Sequence, residues 1–325
     1  MRPPGDVGWQ WYGGEWKETD GWAEGPLLSH WQSGEKWHLT GAEQEGLEAL
    51  PVMRTGGALI DWKRGRASWH YEDYRQAVEA AQAAMQAGTL EKVVLSVAWE
   101  YPLLSGGMDR LQAWASAAAA RHPEALVWLA SLGNGIVWGG ATPEPLLQSD
   151  GRRWQTVALA GTQFEAAAFS GKEHREHDSV VRHIRSRLQA EGVPFDEGET
   201  EVVRSGRLFH LRRSFVGQRR GVSGRLITAL HPTPAVVGMP VEAAQRFIAE
   251  HEPHPRRLYT GLVGRYAEAE PQVWVNLRCF RLDFQEGRAT FYAGGGITAE
   301  SVPAAEWEEI RRKIDTMQRP WRTIG

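Results

Sequence analysis

Two short acidic segments carry the carboxylates best placed to do chemistry. Lys172-Glu173-His174-Arg175-Glu176-His177 is one; Glu306-Trp307-Glu308-Glu309, followed by Lys313, is the other. In each, two glutamates stand three residues apart and share one face of a helix. With about 100° between successive residues, Glu173, Glu176 and His177 fall beside Val180, Ile184 and Leu188, opposite Arg175, Asp178 and Arg182. Glu306 and Lys313 fall near Ile310, Ile314 and Met317, with Glu309 at the edge of that stripe; Glu308, Arg311, Arg312 and Asp315 take the other side. A carboxylate turned toward a core is costly unless it is paired or metal-bound. A divalent cation site is the economical explanation.

Most other candidate residues admit two readings each. Glu144 stands between Pro143 and Pro145, after an apolar run, so it is either a rigidly held general acid or a turn residue. Lys92 alternates with Val94 and Ser96 and points along a buried face or into solvent. If desolvated, it can serve as a base. His231, in Leu230-His231-Pro232-Thr233-Pro234, reads from the residues alone as an incidental imidazole in a rigid turn. Arg278, read as mid-strand among Val275, Leu277 and Cys279, needs an anion, from a substrate or from the protein. Gly294-Gly295-Gly296 lacks the Lys-Ser/Thr of a P-loop, which leaves a flexible turn or a backbone in close approach to a ligand.

The elements that position these residues are legible in outline. Helical spacing predicts helices over 72–87, 108–121, 172–190, 240–251 (Pro240 in its first turn) and 303–318, the last N-capped by Ser301 with Pro303 following. Strands are expected at 92–99, at 201–217 with a turn at Ser205-Gly206, and at 225–230, 257–267, 272–284 and 288–297. A hairpin is expected at 125–138 through Asn134-Gly135. Many hairpins with interspersed helices predict an α+β fold with a large, mainly antiparallel sheet in a single domain spanning 1–325. Residues 1–70 hold eight of the 16 tryptophans and read as strands joining that sheet. Their indoles serve either sheet packing or a ligand platform.

Composition narrows the function. The 325 residues are 42% hydrophobic with net charge −3 and no basic run, which argues against nucleic-acid binding. One cysteine, Cys279, excludes an internal disulfide and fits a reducing compartment. The start Met1-Arg2-Pro3-Pro4 lacks a signal-peptide core, and no run is long enough to span a membrane, so a cytoplasmic protein is expected.

Taken in order, the segments resemble the chorismate-utilising enzymes and, among them, the isochorismate synthases. They are Lys92-Val93-Val94-Leu95-Ser96; Gly140-Ala141-Thr142-Pro143-Glu144; Ala158-Leu159-Ala160-Gly161-Thr162; the first acidic helix; and Leu230 to Ala235. Then follow Tyr259-Thr260-Gly261, Leu277-Arg278, Ala293 to Ile297, and Ser301 with the second acidic helix. The resemblance covers roughly 72–318 and implies a two-layer antiparallel sheet with helices outside and a deep Mg²⁺-dependent site. It implies Lys92 as the base activating water for attack at C2 of chorismate, and Glu144 as the acid protonating the departing C4 hydroxyl. Glu176 and Glu309 are then the principal Mg²⁺ ligands, with Glu173 and Glu306 nearby. Gly161, Thr162, Tyr259, Arg278, Gly294 and Lys313 hold the substrate carboxylates, and Ala229 and His231 line the ring.

Lys92, Ala160 and the His231-Pro232-Thr233-Pro234-Ala235 run set the chain apart from the aminating members. Water is therefore the expected nucleophile and isochorismate the product, destined for menaquinone or a siderophore. A monomer without a glutaminase subunit is expected. The alternative is a salicylate synthase, which goes on to eliminate pyruvate. Val97 and Gln163 stand where the family usually has arginine, and the chain is short for the family ahead of Lys92.

Overall fold

The computed structural model describes residues 60–104, 109–163, 169–205, 208–218 and 224–323, with shorter stretches at 11–12, 15–19, 22–30, 36–40 and 44–45 and positions 1 and 4. The start contributes β1 (Trp11–Tyr12), β2 (Glu15–Thr19), β3 (Gly25–Ser29), β4 (Lys36–Thr40), β5 (Gln44–Glu45) and β6 (Arg66–Ala67). Helix α1 (Tyr71–Gln86) leads to β7 (Lys92–Pro102), α2 (Asp109–Arg121), β8 (Leu126–Ser131), β9 (Ile136–Thr142), β10 (Pro145–Ser149) and β11 (Arg153–Gln163). After α3 (Gly171–Ala190) come β12 (Asp196–Glu197), β13 (Glu201–Ser205), β14 (Leu208–Gln218), α4 (Gly224–Leu230), β15 (Gly238–Met239) and α5 (Val241–His251). The chain closes with β16 (Leu262–Tyr266), β17 (Gln272–Val275), β18 (Cys279–Asp283), β19 (Arg288–Ile297) and α6 (Pro303–Thr323).

Among the described residues two large antiparallel sheets result, beside a two-stranded pair of β1 with β5. One runs β12-β14-β11-β10-β17-β16-β3-β4-β2 with β13 also on β14; the other runs β15-β7-β19-β18-β9-β8 with β6 on β7. Helices α1, α2, α5 and α6 pack on the second sheet, and α3 and α4 on the first. The expected antiparallel α+β architecture is therefore present. Strands β2, β3 and β4 of the Trp-rich start join the first sheet through β3 and β16. Among the described indoles, Trp69 is buried and donates to the Ser96 carbonyl at 2.8 Å, and Trp62 packs on Tyr101 and Phe291. Both serve packing. Trp9 and Trp31, and the side chains of Trp11 and Trp16, lie outside the described residues, as does the turn at Gly206.

Two strands cross between the sheets. β9 pairs with β18 in one sheet, and β10, only two residues after β9, pairs with β17 in the other. The expected strand 272–284 is thus two strands, broken at 276–278, and Arg278 sits at the break with φ 48°, not mid-strand. Hydrogen bonds hold the corner: Val275 N donates to Glu144 O at 3.0 Å and Ala141 N to Arg278 O at 3.2 Å. Strands that change sheets make such corners.

Other expectations need correcting. Residues 225–230 form helix α4, because Leu226, Ile227 and Leu230 bury one helical face against its neighbours, and tertiary burial overrides strand propensity. Ser301 does not cap α6: its hydroxyl accepts from Thr298 N at 3.0 Å, and Val302 O receives the first helical amides. Pro240 is the N-cap of α5 and not part of its first turn. Gly294-Gly295-Gly296 is no turn but the end of β19, paired residue by residue with Ser96, Leu95 and Val94.

A buried ion pair fixes β7 to its surroundings. Arg256, fully enclosed, donates to both oxygens of Glu252, to Val236 O at 2.8 Å and to Val94 O at 2.7 Å; Glu252 also accepts from Ser96 N at 2.7 Å. Losing one partner of such a pair strands the other charge. Arg256→Ala is expected to lower the unfolding free energy by about 3–5 kcal/mol in urea titrations. Arg182→Ala, at an exposed pair with Glu91, should leave the midpoint in place.

Candidate active site

The sheet crossing opens onto a cavity between the two sheets, with room of about 120 Å³ for the centres of water-sized molecules. Glu144, Glu176, His210, Tyr259, Arg278 and Lys313 supply its polar wall, and Gly294 and Gly296 leave β19 bare along one side. Lys92 begins β7 and is 2% exposed; its Nζ lies 2.7 Å from Glu176 Oε1. Gly296 makes this contact possible, since a Cβ there would stand 2.5 Å from Glu176 Oε1 and 2.9 Å from Lys92 Cε. At Gly294 a Cβ would crowd the Tyr259 hydroxyl at 3.0 Å.

Glu144 is held at the crossing between two prolines. Burial pushes its carboxyl up to about 7, against the charges of Lys92 and Arg278, which pull it down. Near neutral pH it therefore retains a proton to give. Burial brings Arg278 down to about 10, opposed by Glu124 and Glu144, so it stays a cation. His210 touches it, Nε2 to guanidinium at 3.4 Å. Burial, then the charges of Arg278 and Lys313, hold His210 down to about 3, so its ring is neutral. Arg278 and Thr260 (φ 63°) both line the cavity with left-handed backbones, a strained conformation for a β-branched threonine.

The acidic helices bury the faces their spacing predicts. Glu173, His177, Val180, Ile184 and Leu188 are buried on α3, and Glu306, Ile310, Ile314 and Met317 on α6. The four glutamates do not all reach the cavity. Glu176 lines it; Glu309 pairs with Lys313 at 2.8 Å, and that lysine donates to Gly294 O at 2.9 Å. Glu173 accepts from Ser170 N, Ser170 Oγ and Gln163 Nε2, and Glu306 faces Gly295. Among the described residues no three His, Cys, Asp or Glu side chains converge into a ready-made metal cluster.

Residues 58–319 match the family of chorismate binding enzymes. The chain belongs to that family. Isochorismate synthase EntC of Escherichia coli K12 is 31% identical over 265 residues, 75% of this chain and 66% of that protein. The salicylate biosynthesis isochorismate synthase of Pseudomonas aeruginosa is 31% identical over 298 residues, 85% of this chain and 59% of that protein. This chain thus spans 66% and 59% of the length of these two curated relatives. The crystal structure of a putative 2,3-dihydroxybenzoate-specific isochorismate synthase from Bacillus anthracis shares the fold, with TM-score 0.77 over 91% of this chain and 83% of that one at 24% identity.

Within this chorismate-binding fold the expected site residues divide. Glu144, Glu176, Tyr259, Arg278, Gly294 and Lys313 share the cavity wall; Lys92 joins them through Glu176. Gly161, Ala229 and His231 stand outside that wall, as do Glu173, Glu306 and Glu309, and the Thr162 side chain lies outside the described residues. Gly161, in a bulge of β11 with φ 71°, lets α3 approach: a Cβ there would meet Glu173 Cβ at 3.0 Å. Neither ring nitrogen of His231 has a hydrogen-bond partner among the described residues, and burial holds it down to about 3. Sequence reasoning missed His210 and Tyr292. Tyr292 stacks between Tyr259 at 5.6 Å and Trp138 at 5.5 Å, and its period-two spacing from Gly294 and Gly296 was a usable signal. Nothing in 208–218 singled out His210.

Two outcomes are expected. Gly296→Ala should weaken chorismate binding in calorimetry with the fold intact, whereas Gly295→Ala, whose Cβ would meet nothing closer than 3.5 Å, should bind as the parent does. The second concerns stability and pH. The unfolded chain releases the Glu144 proton near 4.5 and the folded one near about 7, so the folded state binds the extra proton in between. This group's contribution is full below 4.5 and lost as pH rises through about 7. Glu144→Gln should flatten that decline in urea titrations across the window.

Proposed function

We propose that this chain isomerises chorismate to isochorismate, with Mg²⁺ as cofactor. The observation that carries the reading is the pairing of a buried lysine, Lys92, with a carboxyl group, Glu144, that keeps its proton near neutral pH. Lys92 takes a proton from water as the water oxygen bonds to C2. The ring double bonds shift, the C4–O bond breaks, and the departing hydroxyl takes the Glu144 proton and leaves as water. Atoms balance, and substrate and product are isomers. Base and acid come from different parts of the fold, Lys92 from the start of β7 and Glu144 from the link between β9 and β10, because they serve different ends of the ring. To act as the base Lys92 enters this step as the free amine, with Glu176 as its carboxylate neighbour at 2.7 Å.

Arg278 and Lys313 supply two cations on the cavity wall for a dicarboxylate substrate. Glu176 and Glu309 would hold Mg²⁺, with Glu173 and Glu306 behind them. The donor chemistry fits: these are hard carboxylate oxygens on two helices, flanking the Gly295-Gly296 end of β19. With no ready-made cluster of three, waters and substrate oxygens would complete the shell, as Mg²⁺ favours. When bound, the ion supplies positive charge that lets an acidic wall accept an anionic substrate.

Incubation with chorismate and Mg²⁺ followed by chromatography should yield isochorismate, and isochorismate supplied in its place with Mg²⁺ should regenerate chorismate. EDTA should abolish both directions. Lys92→Ala and Glu144→Gln should each lose about 10²–10⁴-fold in kcat, with Glu144→Gln melting as the parent does near pH 5 and Lys92→Ala still unfolding cooperatively though at a lower midpoint. Stoichiometric pyruvate in a lactate-dehydrogenase-coupled assay would replace this reading with salicylate synthesis.

A further inference from the structure

Beside the reaction cavity, and sharing Arg278 and Met317 with it, lies a second chamber of about 10 Å³. That is room for one water molecule. Trp114, His122 and Thr316 also line it, and two of their polar atoms are orphans: Trp114 Nε1 and His122 Nδ1 are buried without a hydrogen-bond partner among the described residues. The two side chains are only 3% and 4% exposed, so bulk solvent does not satisfy them. Glu124 Oε1, the nearest acid to His122, stands 4.0 Å from Nδ1, beyond direct hydrogen bonding. Both atoms belong to residues that line one chamber, so a single small polar occupant there could serve both.

We infer that this chamber is a built site for a single ordered water that orients Arg278. The donor and acceptor count closes. Water offers two lone pairs and two protons. Trp114 Nε1–H and an Arg278 N–H fill the lone pairs; His122 Nδ1 and Thr316 Oγ1 take the protons. Thr316 has already given its own proton to Arg312 O at 2.9 Å, so its oxygen remains an acceptor. Burial first, and then the Arg278 charge, hold the His122 imidazole down to about 4, which keeps it neutral and able to accept. The water thus secures the guanidinium at one side while His210 secures it at another. Its effect on catalysis rests on the proposed role of Arg278 in holding a chorismate carboxylate. His122 and Trp114 are then positioning residues, outside the reaction cavity.

A high-resolution crystal structure of the unmodified protein decides the site itself. Density for one water within hydrogen-bond distance of both Trp114 Nε1 and His122 Nδ1 is expected; an empty chamber in well-ordered density overturns the inference. Steady-state kinetics decide the positioning role. His122→Phe, which removes the acceptor, and Ala118→Val, which fills the chamber with methyl groups, should each raise KM for chorismate several-fold with kcat nearly held. His122→Asn, which returns a polar atom near Nδ1, should recover most of the loss. An unchanged KM in both disruptive variants, or no recovery in His122→Asn, refutes the positioning role. If the parent enzyme does not turn over chorismate at all, the proposed function fails, and the crystallographic water is still decided independently.

Discussion

Two antiparallel strands bend together from one sheet into the other, and the site exists because of that bend. β9 and β10 are consecutive in the chain yet belong to different sheets, and their partners β18 and β17 change sheets at the same level. A shared corner must leave some backbone groups unpaired by the ladders. Here short bonds across the corner take them up, from Val275 N to Glu144 O and from Ala141 N to Arg278 O. Of the residues at the crossing, Pro143, Glu144, Leu277 and Arg278 line the gap between the sheets, while Asn276 donates to Leu258 O at 2.8 Å. Glu144 and Arg278 are the charged ones. Their burial, and hence the raised pKa of one and the lowered pKa of the other, follows from topology before any substrate arrives.

The charges around the gap are arranged so that few of them are stranded. Lys92 of β7 meets Glu176 of α3, Lys313 meets Glu309 one turn away on α6, and Arg256 meets Glu252 four residues before it. The first two pairs are salt links at the edge of the cavity, exchangeable for a ligand's charges. The third is fully enclosed and donates to two carbonyls of the cavity wall, Val94 and Val236, so it serves architecture. A buried pair contributes little net stability over an apolar substitute but is costly to break. That asymmetry suits a clamp, which must hold one geometry.

Much of this was legible in the sequence, for physical reasons that differ by residue. The helical faces of Glu173, Glu176 and Glu306 follow from periodicity alone, because burial in a helix is set by spacing. Lys92 was ambiguous: alternation put it on a buried face, but only the structure shows Glu176 near enough to keep a lysine there. Arg278 reads as mid-strand because Val275, Leu277 and Cys279 alternate without interruption; the change of sheet leaves the pattern intact, since Val275 and Cys279 are buried on either side of it. The strand expected at 225–230 failed for the converse reason. A short apolar run reads equally as strand or helix, and packing on its neighbours decided it. His210 was invisible because its importance lies in touching Arg278, sixty-eight residues away in sequence.

Three consecutive glycines in a strand weaken it, since each loses more backbone freedom on folding than any other residue and offers no side chain to pack. β19 tolerates them because it is paired along ten residues with β7, whose own residues are almost all buried. The loss is local and the pairing is long. In exchange, the absence of side chains brings Tyr259, Glu176 and Lys92 up to the backbone from one face, at Gly294 and Gly296, and admits Ile310 and Glu306 from the other, at Gly295. A strand with ordinary side chains would separate α3 from α6 by its own thickness plus those side chains. The bare strand lets carboxylates from both helices approach the same stretch of backbone.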